Sequence, residues 1–250
     1  MRELPIGDAL EAFEASDTEE RAFEALIAFA ESIGADLLSY HHVEPSLRQA
    51  TSKPGSADFT LSSHGFPDAW VKKYESSDYR RIDPITAYAA YQTRPVLWSD
   101  IPRRVEMSAE QTAYIDDLYS WLSPGDGLAV PLFGPSGRHG YGGIGWRKPT
   151  VPPWTPVKQR GVQSVFESFH LRVCELRLAQ MDPAVQLRPR QAEMLRLMAR
   201  GYPDALICDR LDLRLEAFRI ELSRLLRALD VTDRPSAMLR AQALGLLEQR

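Results

Sequence analysis

The stretch from Phe66 to Trp98 concentrates side chains able to hold a small molecule: Phe66, Trp70, Tyr74, Tyr79, Asp83-Pro84, Tyr88, Tyr91 and Trp98. A binding pocket needs apolar walls and a few fixed polar groups. Trp70 offers an indole N–H, Asp83 can accept from an amide, and Trp98 supplies a flat surface. The same residues also suit a plain core, in which the rings fill space and Asp83 caps the turn at Pro84.

A second group lies near the C-terminus. Leu215, Phe218, Leu222, Leu225 and Leu229 recur at spacings of three and four, which predicts a helix with those side chains inward. Arg219, Arg224 and Arg227 then face outward with Glu216, Ile220 and Ser223, and Arg214 precedes the helix. Arginines so placed can reach phosphates or guanine edges in a DNA major groove, or they form an ordinary solvated face.

Other residues invite chemistry and do not carry it. His41 and His42 are adjacent on a predicted strand, so they point to opposite faces and cannot chelate one ion. One is expected to be partly buried and the other at the surface. His64, His139 and His170 lack a nearby Ser and carboxylate in triad arrangement. Gly140-Tyr-Gly-Gly143 is glycine-rich without the Lys-Ser/Thr of a phosphate loop. Cys174 and Cys208 are expected to be packed thiols. Neither an enzyme, a metal nor a cofactor is expected.

The elements around these residues alternate. Ser16-Asp-Thr-Glu19 has capping-box spacing and predicts a first helix ending at Gly34. Residues 36–43 and 57–62 read as strands, and a short helix follows Pro67. Ser108 caps a helix to Trp121 with Ala113, Leu118, Trp121 and Leu122 as apolar contacts, and residues 127–133 and 141–146 form a hairpin. A long helix runs to about Gln180. Residues 181–186 read as a linker, and from Leu187 onward everything is helical, with Asp204 capping a short middle helix. The pattern gives an α+β chain: a sheet covered by helices over 1–180, then an all-α unit over 187–250.

Composition agrees. The chain of 250 residues is 44% hydrophobic and 26% charged, which excludes a disordered or fibrous protein. Its net charge of −4 divides unevenly: from Pro183 onward there are 12 Arg, no Lys and 9 acids, leaving the tail basic and the remainder acidic. Acids interrupt the N-terminal segment where a signal sequence needs an apolar run, and no stretch of about 18 apolar residues occurs. With two distant cysteines, a cytoplasmic protein with no membrane association is expected.

The tail residues Leu187-x2-Arg190-x2-Glu193-x-Leu195, Gly201, Ile207, Leu211, Leu213, Phe218, Leu229, Val231, Arg234, Ala237 and Ala243-Leu-Gly-Leu-Leu247 resemble, without a gap, the helix-turn-helix of LuxR-type quorum-sensing regulators. The spacing Trp70-x3-Tyr74-x8-Asp83-Pro84-x13-Trp98 resembles the autoinducer-binding domain of the same family. The resemblance implies an N-acyl-homoserine lactone inside an α/β/α sandwich. Carried over by the same resemblance, Trp70 would donate to the lactone carbonyl, Asp83 would accept the amide N–H, Trp98 would pack on the lactone ring and Tyr74 would line the acyl path. It also implies a dimer on double-stranded DNA, with α-helical surfaces around Val162–Leu178 and Ala237–Leu247 at the dimer contact.

Some positions depart from the family. Phe66 stands where a tyrosine commonly donates to the acyl carbonyl, and Gly143 where Ser or Thr is frequent; Ser39, Tyr40 or Tyr141 are candidate replacements. Open space at Gly143 is expected to admit a bulkier or aryl acyl group. In the recognition helix Ala217, Glu221 and Ala228 replace Thr, His and Lys, while Arg219 keeps a positive charge and Arg224 stands for an Asn. These changes motivate an alternative: an antagonist that forms mixed dimers with a DNA-competent relative.

Overall fold

The computed structural model describes residues 5–44, 58–77, 79–122, 125–147, 154–180, 185 and 187–247. The chain divides into two compact units, the first holding most residues up to Leu176 and the second those from Arg177 onward, with two short earlier segments. Of the expected linker at 181–186, all but Val185 lies outside the described residues.

A five-stranded sheet organises the first unit: β1 (Leu37–Glu44), β2 (Asp58–His64), β3 (Val96–Leu97), β4 (Asp126–Phe133) and β5 (His139–Trp146), in spatial order β2-β1-β5-β4-β3. Strands β4 and β5 form the expected antiparallel hairpin, pairing Ala129 with Gly143 and Gly127 with Gly145. Because side chains alternate along a strand, Leu38, Tyr40, Leu128, Val130, Leu132, Ile144 and Trp146 pack on one face. There they meet α1 (Ile6–Glu14), α2 (Glu19–Ser32) and α7 (Pro156–Gln180). Leu37, Ala129 and Tyr141 turn to the other face. It is covered by α3 (Asp68–Ser76), α4 (Tyr79–Ile82), α5 (Pro84–Ala89), α6 (Ala109–Leu122) and the 3-10 turn Trp98–Arg103. The sandwich is therefore α/β/α.

Several local expectations change. The helix α1 precedes the first one read from the sequence, and buries Ala9 and Phe13. The cap of α2 is Thr18, whose hydroxyl accepts from Arg21 N at 3.2 Å, whereas Ser16 Oγ donates back to Ala12 O at 2.7 Å. Ser108 does cap α6, with Gln111 reciprocating at 3.0 Å. The buried face of α6 is Tyr114, Ile115 and Leu118, while Ala113 is exposed and Trp121 half-exposed. In α7, Val162, Val165, Phe166, Phe169 and Val173 are spent on the unit's own core, leaving Leu171 exposed. The apolar face expected to need a partner is thus mostly satisfied within the chain.

In the second unit, α8 (Pro189–Ala199), α9 (Asp204–Leu211), α10 (Leu215–Ala228) and α11 (Arg234–Ala243) enclose a core of Leu195, Ile207, Phe218, Leu225, Leu229 and Ala237. The turn from α9 to α10 is made by Asp212 at φ 50°, and Leu213 N donates to Cys208 O at 2.9 Å. An L-residue in the left-handed region is tolerated best when it is Asn or Asp. Pro203, not Asp204, occupies the cap of α9; Asp204 instead pairs with Arg234 at 2.5 Å. Leu215 is half-exposed at the start of α10 rather than inward.

Candidate functional site

The helix-covered sheet face that carries Tyr141 borders a cavity lined by Phe66, Trp70, Tyr74, Asp83 and Trp98 from the residues singled out in the sequence, whereas Tyr79 and Tyr88 do not line it and Tyr91 is exposed. Trp70 and Tyr74 are one turn apart on α3, so both project to the same side. Asp83 is the N-cap of α5 and Trp98 opens the 3-10 turn after β3. Strand alternation adds Ser39 and His41 from β1 and Tyr141 from β5. Tyr40, offered as a replacement donor, faces the opposite side of the sheet for the same reason. Leu61, Ser63, Val71, Ile85, Tyr114 and Leu118 complete the wall. Of these, the apolar spacing of α6 predicts Leu118, but only as an ordinary core contact.

Asp83 is buried and engages four donors. Its Oδ1 accepts from Ile85 N at 2.8 Å and Thr86 N at 3.3 Å; its Oδ2 accepts from the hydroxyls of Thr86 at 2.6 Å and Tyr74 at 3.0 Å. An ionised carboxylate offers about four acceptor sites, so all are in use. Burial pushes its pKa above the usual 3.8, and the donors from Thr86, Ile85 and Tyr74 oppose that rise. The phenols of Tyr74, Tyr114 and Tyr141 are held well above 10.0, first by burial and then by the Asp83 charge. They therefore remain O–H donors at neutral pH. The cavity combines apolar walls, three phenol donors and one carboxylate.

The glycine-rich hairpin has a purpose here. A Cβ on Gly127, Gly143 or Gly145 would come within 2.5, 3.2 or 3.0 Å of the Trp98 indole. These three glycines form the floor on which Trp98 lies, while its N–H donates to Tyr141 Oη at 3.0 Å. Gly143 does not line the cavity, and the space beside it is not open: a Cβ would also sit 2.4 Å from Ser39 Oγ and 2.9 Å from the Tyr141 hydroxyl. The expectation of room for a bulky acyl group at this position is corrected accordingly, because Ser39, Tyr141 and Trp98 converge on it.

The histidine pair is also corrected. Both members are buried: His41 faces the cavity and His42 the opposite layer, where it nears His170 and Cys174. Sequence spacing could not reveal this meeting, since it joins a strand to a helix far along the chain.

In the second unit Arg214, Arg219, Arg224 and Arg227 are all exposed, at and along α10. Phe218 and Leu225 anchor the opposite side of that helix, and Arg234 lies over the Phe218 ring, 5.5 Å from its centre. Glu221 pairs with Arg224 across 2.6 Å, one turn apart. One of the outward arginines is thus held by an acid of its own helix.

A sandwich enclosing a polar-lined aromatic cavity, carried in one chain with a helix-turn-helix, defines a ligand-sensing regulator. Comparison with known proteins gives the family. The autoinducer binding domain model matches residues 18–173, and the chain belongs to that family as a LuxR-type quorum-sensing transcriptional regulator. It is 27% identical over 98% of its length, and 95% of theirs, to the quorum sensing-dependent regulator RpaR of Rhodopseudomonas palustris. It is 25% identical to the transcriptional activator AnoR of Acinetobacter nosocomialis, covering 96% of this chain and 98% of that protein. Both relatives are regulators of transcription, not enzymes. Among solved structures, Escherichia coli SdiA shares the fold with a TM-score of 0.69 at 18% identity, over 98% of both chains. Among the described residues no helix is long and apolar enough to cross a membrane.

Proposed function

We infer that the chain is a cytoplasmic regulator that takes an N-acyl-homoserine lactone into the Trp70–Asp83–Trp98 cavity and binds double-stranded DNA as a dimer through α10. The observation that carries this reading is the convergence of Trp70, Tyr74, Asp83 and Trp98, from three separate elements, on one cavity. In this reading Trp70 donates to the lactone carbonyl, Asp83 exchanges one of its present donors for the ligand amide, and Trp98 packs against the lactone ring. Tyr141 or Ser39 supplies the acyl-carbonyl donor that Phe66 lacks. A homologous fold accepts an acyl chain: SdiA has been solved in complex with octanoyl-rac-glycerol.

The cavity has about 50 Å³ of room. That is several times smaller than the roughly 300–1,000 Å³ of ligand pockets. Ligand uptake therefore requires the lining rings to part, and binding stabilises the parted, ordered state by mass action. Isothermal titration with lactones of graded acyl length tests the assignment. Saturable heat that is lost in Trp70→Phe supports it, and a folded protein that binds none of the series overturns it.

The Glu221–Arg224 ion pair favours a second reading, in which weakened DNA contact leaves the chain as an antagonist forming heterodimers with a related regulator. Electrophoretic shifts at low salt separate the two. Duplex binding lost in Arg219→Ala with Arg224→Ala supports the regulator. Absent duplex binding, with co-purification of a co-expressed relative, supports the antagonist.

A further inference from the structure

On the sheet face away from the ligand cavity, we propose, His42, His170 and Cys174 form a buried binding site for one Zn²⁺ ion, with Tyr40 as its positioning residue. One ligand atom from each of the three residues lies within 4.8 Å of the others, and all three residues are buried. His170 and Cys174 stand four residues apart on α7, which places both on one helix face. Strand β1 brings His42 to the same point.

The separation of the two ligand atoms on α7 suits the ion. Zinc bonds of about 2.3 Å to sulfur and 2.0–2.1 Å to nitrogen at a tetrahedral angle set those two ligand atoms about 3.5 Å apart. Here Cys174 Sγ and His170 Nε2 are separated by 3.7 Å. Two neutral imidazoles and one thiolate are borderline-to-soft donors, a set that zinc accepts readily.

The surroundings resemble those of a metal site. The Tyr40 hydroxyl lies 2.8 Å from His170 Nδ1 and 2.9 Å from His42 Nδ1. The hydroxyl oxygen, with two lone pairs, can accept from an Nδ1–H on each imidazole, which leaves the His170 Nε2 lone pair toward Cys174, the way outer groups commonly orient histidine ligands. The hairpin also leaves room. A Cβ on Gly134 would stand 2.8 Å from Cys174 Sγ and 2.9 Å from His170 Nε2, so any side chain there would occupy the space beside the ligands. On binding, the Cys174 thiol proton passes to solvent and the S–Zn bond replaces the S–H bond.

The test needs neither lactone nor DNA. Untagged full-length protein is stripped with a chelator and titrated with Zn²⁺ alone, then with Co²⁺ as a spectroscopic substitute. The expected result is about one zinc per chain, and a cobalt form showing a near-ultraviolet thiolate charge-transfer band. Cys208→Ser should keep that band and Cys174→Ser should lose it while retaining its circular dichroism. Tyr40→Phe should keep the band but weaken zinc binding about 10- to 100-fold, a readout that a merely structural tyrosine would not move. Should Cys174→Ser fail to fold, the Cys208→Ser measurement decides, because the chain has only 2 cysteines. Absence of uptake, uptake without a thiolate band, or a band lost in Cys208→Ser overturns the site.

Discussion

The hydroxyl of Tyr74 donates to Asp83 Oδ2 across 3.0 Å, joining the helix that carries Trp70 to the cap of the next helix but one. The bond is buried and made to a carboxylate, which places it among the stronger hydrogen bonds. Tyr74→Phe should therefore cost about 1.5–3 kcal/mol, measurable by urea unfolding. It should also move the Asp83 titration midpoint upward, since the Tyr74 donor favours the ionised form. A variant as stable as the parent would show that the bond does not hold the cavity wall.

The pH dependence of Asp83 follows from burial. Its folded-state pKa is raised above 3.8, so as pH falls the native chain takes up this proton before the unfolded chain does. The contribution to stability is thus fully present below 3.8 and is lost as pH rises through the folded value. Comparing the wild type with Asp83→Asn cancels the other carboxylates. The difference in unfolding free energy should shift toward the wild type as pH is lowered through that interval, and a pH-independent difference would refute the assignment.

The glycine floor under Trp98 makes a contrast between two substitutions. At Gly127 a Cβ would meet three atoms of the fused indole ring at 2.5–2.6 Å, and a rigid ring can escape only by moving as a whole. At Gly143 the nearest atom is Ser39 Oγ, which can turn about χ1. Gly127→Ala should lose about 1–3 kcal/mol and shift the tryptophan emission, as overpacking does. Gly143→Ala should cost less and change emission less. Equal losses would mean that Trp98 is not seated as described.

These cases also show what the sequence could disclose. Helix faces, the hairpin and the tail register were legible because apolar spacing and turn residues are local signals. So was the concentration of rings around Asp83. The glycine floor was not, because Gly143 reads as empty space until Trp98, Tyr141 and Ser39 are brought to it from other elements. Tyr40 and Tyr141 looked equivalent as donors, and only strand alternation across the paired sheet put them on opposite faces. His42, His170 and Cys174 became neighbours for the same reason: a strand and a helix 128 or more positions apart share one core. Residue identities in a cavity wall are tertiary facts, and a single chain carries no local mark of them.

The recognition helix yields the last prediction. Glu221, a partly covered side chain, holds Arg224 at 2.6 Å and places a negative charge beside it on α10. Each phosphate newly neutralised steepens the dependence of log affinity on log salt by about 0.9. Glu221→Gln releases Arg224 and removes the repulsion, so duplex affinity measured by fluorescence anisotropy should rise most at low salt, and the slope should steepen by about one contact. Arg224→Ala in the Glu221→Gln background should return the slope to its starting value. Were the slope to remain unchanged in Glu221→Gln while Arg219→Ala still weakened binding, Arg224 would lie off the phosphate backbone and the ion pair would be a solvated surface contact worth at most about 1 kcal/mol.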